Sequence, residues 1–145
     1  EIERSGNPDR ILQIMQSALE YNQIALVLAP RNPDYEGELG QSLAHLASAQ
    51  LEVCDLDGAL ATTEASVAHE MAIFEQGKES VDHHWNLAAA LGKRAAIYAG
   101  IGDSTRAIRD LTRSLELLEA LQILDTATFE IYFSNDFQGY IEPCG

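Results

Sequence analysis

Residues 45–60 read HLASAQLEVCDLDGAL, and residues 93–108 read KRAAIYAGIGDSTRAI. Laid over one another without a gap, they pair Ala47 with Ala95, Asp55 with Asp103, Ala59 with Ala107 and Leu60 with Ile108. The same register reaches Ser66 and Ser114, always at an offset of 48 residues. Self-similarity at a fixed period is the mark of a repeat protein, in which each unit is a helical hairpin that buries its apolar face only by stacking on a neighbour. The small residues stand where paired helices must approach closely. The Asp-centred stretches stand where the chain must turn.

Working outward, Asn7-Pro8-Asp9 opens a first helix, with Pro in its tolerated first-turn position and an acid at the positive dipole end. Ile11, Leu12, Met15, Ala18, Leu19, Ile24, Ala25 and Leu28 follow at helical spacing, and Pro30 and Pro33 are read as its stop, giving a helix over 8–28. A second helix is expected over about 35–53. A third covers about 57–76, with Ala59, Leu60, Thr63, Val67, Met71 and Phe74 on one stripe and Gly77 as terminator. Ser80 or Asp82 caps a fourth, over about 80–100. Ser104 starts a fifth, over about 104–122, lined by Leu111, Leu115, Leu118 and Leu121. Short connections imply antiparallel neighbours, and no Gly-Pro-Ser linker divides the chain, so a single domain over 1–145 is expected. The stretch 125–141 reads either as a helix, with Phe129, Phe133 and Phe137 every fourth residue, or as a strand, with Phe129, Ile131 and Phe133 alternating with polar neighbours. In either form its cluster of aromatics is expected to cover an open end of the array or to dock a second copy as a homodimer.

The repeated pattern resembles the tetratricopeptide repeat. Ala47, Asp55, Ala59 and Ser66 match in one unit, and Ala95, Gly102-Asp103, Ala107, Leu111 and Ser114 in the next. The first helix resembles the second helix of a preceding unit, through Ala18, Ala25 and Pro30. The period of 48 exceeds the family's usual length of about 34, and so resembles the longer-helix members: kinesin light chain and the repeats of bacterial signalling ATPases and kinases. The resemblance implies an all-α, right-handed solenoid of stacked antiparallel hairpins, with repeats over 35–76 and 80–122 and a C-terminal cap.

The chain carries a net charge of −14, from 23 Asp and Glu against 9 Lys and Arg. That balance excludes nucleic acid and an anionic membrane surface as partners, because both are gripped by clustered cations. No run reaches the ~20 apolar residues of a membrane span. Cys54 and Cys144 make no disulfide framework, so a reducing cytoplasmic setting is expected, with Cys54 a small buried residue of the turn. A chain that begins at Glu1 is expected to be a piece of something longer. Charge is uneven: eleven acids and one base lie between Asp34 and Asp82, but five bases and two acids between Lys93 and Arg113.

No constellation for catalysis, cofactor or metal emerges. His83 and His84 are adjacent, so on a helix they point about 100° apart; Glu79 with His83 has better spacing, but solvated residues at a helix start are the expectation. His69-Glu70 lacks the second His of a zinc motif. The carboxylates spread along helix faces, no nucleophile elbow is present, and Trp85 reads as a packing residue. The resemblance implies instead a concave, partner-binding groove lined by Gln41, Ala44, His45, Ser48, Leu51 and Glu52 from one helix and by Ala89, Gly92, Lys93, Ala96 and Ala99 from another. Relatives that clamp a peptide carboxylate use Lys, Arg and Asn; here those positions hold Ala44, Ser48, Gly92 and Ala96, so that clamp is absent. The expected function is a protein-interaction scaffold for a peptide or helical segment. The alternatives are a regulatory or sensor domain attached to a signalling enzyme, which a full-length sequence would reveal, and a standalone enzyme.

If the small residues mark close helix contacts, Ala59→Leu or Ala107→Leu costs ~1–3 kcal/mol by overpacking. Denaturation midpoints equal to the parent's would show that these residues are exposed and the register is wrong.

Overall fold

A computed structural model describes residues 7–121 apart from 31 and 79. The expected C-terminal cap, with Phe129, Phe133 and Phe137, lies outside the described residues. The described chain is all-α, with no strand: α1 (Pro8–Leu28), α2 (Pro33–Glu52), α3 (Leu56–Glu75), α4 (Val81–Gly100) and α5 (Ser104–Ala120).

Local chemistry explains these boundaries. The Asn7 side chain accepts from the Asp9 N–H (3.1 Å), and Asn32 accepts from the Asp34 N–H (3.0 Å), each just before a Pro in the first turn. Pro33, read from the sequence as a stop for the first helix, therefore opens α2, because a first-turn proline forfeits no helical hydrogen bond. Ser80 settles the choice for α4 by accepting from the His83 N–H (3.3 Å). Asp103 caps α5 by accepting from the Arg106 N–H (3.0 Å).

The internal repeat is written into the backbone. After α2, the Cys54 N–H donates to the Leu51 carbonyl (3.0 Å) and the Asp55 N–H to the Gln50 carbonyl (2.9 Å). After α4, 48 residues on, the Gly102 N–H donates to the Ala99 carbonyl (3.1 Å) and the Asp103 N–H to the Tyr98 carbonyl (2.8 Å). These paired bonds form the Schellman ending, which needs a left-handed residue just past the helix. Cys54 (φ 59°) and Gly102 (φ 85°) supply it. Asp55 and Asp103 then cap the following helix alike, the former accepting from the Gly58 N–H (3.0 Å). The α3 terminus has the same form, with Gly77 at φ 65° and the Lys78 N–H donating to the Ile73 carbonyl (3.2 Å). Cys54 is exposed rather than buried, and it is disulfide-bonded, which overturns the reading of a buried free thiol. The chain's other cysteine, Cys144, lies outside the described residues.

By contacts the chain groups into two compact units, divided within α3 between Thr62 and Thr63. In the first, α1 packs along α2. Leu43, Leu46, Ala47, Leu51 and Ala59 are buried there. The buried residue of α1 is polar: Asn22, whose Nδ2 donates to the Ser42 hydroxyl (2.7 Å) and the Glu38 carbonyl (3.3 Å). Only part of the apolar stripe expected on α1 faces inward. Ile11, Leu12, Met15 and Leu19 are half-buried, whereas Ala18, Ile24 and Leu28 are exposed.

In the second unit α4 packs along α5. Val67, Leu87, Ala88, Ala90, Leu91, Leu117 and Leu118 form the core, with Phe74 and Trp85 against it. Met71, expected on the inner stripe of α3, is exposed; Thr63, Ser66, Glu70 and Ile73 are buried there instead. The paired small positions occupy matching environments: Ala47 and Ala95, Ala59 and Ala107, and Ser66 and Ser114 are all buried. Ser114 takes part directly, donating to the Ala88 carbonyl (2.9 Å). Leu60 and Ile108 diverge, the former half-buried and the latter exposed.

Gly100 and Gly102 test this ending. A Cβ at either position meets nothing within 4 Å, so only backbone conformation separates them. Gly102→Ala loses about 1 kcal/mol to the left-handed φ, whereas Gly100→Ala, on helical backbone, gains about 0.5 kcal/mol. Equal shifts in the denaturation midpoint would show that the turn does not form.

Candidate functional site

The residues expected to line a groove fall on one helix of each unit. On α2, Gln41, His45 and Glu52 are exposed, and Ala44 and Ser48 are half-buried, with the Ser48 hydroxyl donating to the Ala44 carbonyl (3.1 Å). Leu51 is only 5 % exposed and belongs to the core of its unit, which removes it from the expected groove. On α4, Ala89, Lys93 and Ala96 are half-buried and Ala99 is exposed. Gly92 is buried, so it too offers a partner no surface. The reason is the same at both positions: a face one turn wide slides into the packed stripe at its edges, and these two residues lie on the packed side.

Within the second unit the ionic groups act as fasteners. Arg94 on α4 reaches Asp110 on α5 with two parallel bonds, Nε to Oδ2 at 2.6 Å and Nη2 to Oδ1 at 3.0 Å. The Asp110 side chain is 3 % exposed. The hydrogen bond to Asp110 raises the Arg94 pKa above its ordinary value, against the opposing effect of burial. Tyr98 lies alongside. Its hydroxyl donates to Glu64 on α3 (3.4 Å), and the Arg106 guanidinium sits over its ring at 4.4 Å. Arg106 also pairs with Asp103. The Arg106 backbone N–H foremost, and then its side chain, hold the Asp103 carboxyl below the usual carboxylate range.

A second pair joins α3 to α4. His83 Nδ1 lies 2.8 Å from Oε2 of Glu70, a residue with no exposed surface. The other oxygen, Oε1, is buried without a hydrogen-bond partner among the described residues. His84 is partly buried, its ring 4.8 Å from that of Phe74. Neither histidine is the solvated residue expected at the helix start. Glu79, the carboxylate with the best sequence spacing to His83, lies outside the described residues. Among the described residues no three of His, Cys, Asp and Glu come together to hold a metal ion.

Sequence reasoning missed both pairs, which bridge 13 and 16 residues between helices. A signal for the second was present: Asp110 lies on the stripe Ala107, Asp110, Ser114 and Leu117, where a charge demands a partner. The repeat register sharpens the point. Forty-eight residues before Arg94 and Asp110 stand Leu46 and Thr62, both buried, and 48 after Glu70 stands the buried Leu118. Charge is therefore an alternative filling for positions that the repeat otherwise packs with uncharged side chains.

Compared with protein-family models, characterised proteins and solved structures, the chain matches none.

Removing one partner of a buried pair strands the other. Arg94→Ala costs about 3 kcal/mol in chemical denaturation, whereas Arg94→Leu combined with Asp110→Thr, the residues found 48 positions earlier, recovers most of it. A double variant no more stable than Arg94→Ala would show that the pair contributes more than its own desolvation.

Proposed function

We propose that the chain is a protein-interaction scaffold of the tetratricopeptide-like kind, and that the outward stripe of α2 and that of α4 each serve to hold a peptide or helical segment. The observation that carries this reading is the turn repeated at an offset of 48 residues, with the same hydrogen bonds and a left-handed residue at the same place, Cys54 in one and Gly102 in the other. It supports a chain built from hairpin units, an architecture whose surface serves binding. The ionic groups support it as well. Arg94, Asp110, Glu70 and His83 are engaged in tying helices together.

The stripes differ in chemistry. That on α2 offers Gln41, His45 and Glu52 as polar contacts, and that on α4 offers the small surfaces of Ala89, Ala96 and Ala99 beside Lys93. A helix lies closely on a small-residue surface, and polar groups beside it set register. With a net charge of −14, the chain favours a basic or neutral segment. The disulfide at Cys54 runs against the reducing, cytoplasmic setting expected from the sequence. Among the described residues no helix is long and apolar enough to cross a membrane.

Selection of displayed linear and helical peptides against the whole chain tests the reading. Selected peptides lose about tenfold or more in affinity to His45→Arg or Ala99→Arg. Both positions are exposed, so the fold persists. Ile108→Arg, exposed on α5, leaves binding unchanged. A selection that yields nothing tighter than about 1 mM, or binders indifferent to both stripes, would sink the proposal.

A further inference from the structure

α1 has two apolar faces, and α2 uses one. Ile11, Met15, Leu19 and Asn22 turn inward. Roughly 140° around the helix, at 100° per residue, lies a second set: Ile14, Tyr21, Ile24 and Leu28, which are 53 %, 70 %, 60 % and 80 % exposed. With Ser17 they recur at alternating intervals of three and four residues, and Val27 (80 % exposed) flanks them. That alternation is the seam by which one helix packs lengthwise on another.

From this seam we infer that the chain self-associates through α1, two copies pairing across a two-fold axis. Area supports it: the five large side chains together expose on the order of 700 Å2, close to the roughly 800 Å2 that each partner of a standard interface buries. Charge at the seam does not oppose a second copy. The chain as a whole is strongly acidic, and eleven of its acids lie between Asp34 and Asp82. The seam from Ile14 to Leu28 carries no charge; Arg10 lies one turn before it and Glu20 beside it. Two acidic copies therefore meet with little repulsion at this surface, and each brings the apolar stripe that the other needs. One self-complementary patch is all that a two-fold interface requires.

Sedimentation velocity of the whole chain across about 1–100 µM, a range in which interfaces of this size associate, is the test. The expected mass at the upper end is twice the 15.9 kDa of the chain. Tyr21→Glu and Ile24→Glu each return it to the single-chain mass with unchanged helicity and denaturation midpoint, since both side chains are exposed. Ile108→Glu, exposed on α5, stays dimeric. A wild-type chain that remains monomeric throughout overturns the inference and leaves the seam to a helix from another protein. A dimer that survives both α1 substitutions overturns it too; loss of that dimer on removing residues 123–145 would move the interface to the C-terminal segment.

Discussion

Among the described residues, three helices end on a residue in the left-handed conformation: Cys54 after α2, Gly77 after α3 and Gly102 after α4. The other features of the array follow from that constraint. A left-handed residue turns the last carbonyls of one helix onto the N–H groups of the next segment, and the chain reverses within a few residues. Helices joined so tightly lie side by side near the turn, where only small side chains fit. Ala47, Ala59, Ala95 and Ala107 stand at those places, all nearly inaccessible to solvent. Cys54 shows the strength of the constraint, since a side chain in this conformation costs roughly 1–2 kcal/mol and is held there all the same.

Away from the turns the helices have room for larger groups, and the two units fill it differently. The first packs Leu46 and Thr62 where the second sets Arg94 against Asp110. The ion pair carries a desolvation penalty that its two short bonds and the neighbouring Tyr98 offset. What it adds is directionality. A two-point guanidinium–carboxylate bond tolerates little sliding of α4 along α5. Glu70 and His83 join α3 to α4 through a single contact, leaving one carboxylate oxygen without a partner among the described residues. Of the ionisable groups that sequence reasoning inspected for chemistry, His83 and Glu70 are paired with each other between helices.

How much of this was legible beforehand can be judged residue by residue. Most helix ends were, because Asn7, Ser80, Gly77 and Gly102 act through bonds to backbone groups within a few positions; the caps Asn32 and Asp103 were not, the first because Pro33 read as a stop. The repeat was, because its small residues and its turn are spaced regularly. The face of α1 was not. Its apolar residues wrap around more of the helix than one contact can cover, and periodicity alone cannot say which side meets α2. Of the residues expected to line a groove, Gln41, His45, Glu52 and Ala99 are exposed, as that expectation requires. Leu51 and Gly92 are buried instead, where a few tens of degrees of helix rotation separate a surface residue from a core one.

By itself, then, the sequence determined the all-α class, the five helices of the described residues, the 48-residue period and the acidic composition, since each depends on interactions local in the chain or on composition. The tertiary structure alone decided that Asn22 rather than an apolar neighbour is the buried residue of α1, that Ile14, Tyr21, Ile24 and Leu28 stay outside, and that Arg94 finds Asp110 while His83 finds Glu70. Those outcomes depend on how each helix is rotated about its axis against the next. That rotation is set by the summed packing of whole faces, which no short stretch of sequence encodes.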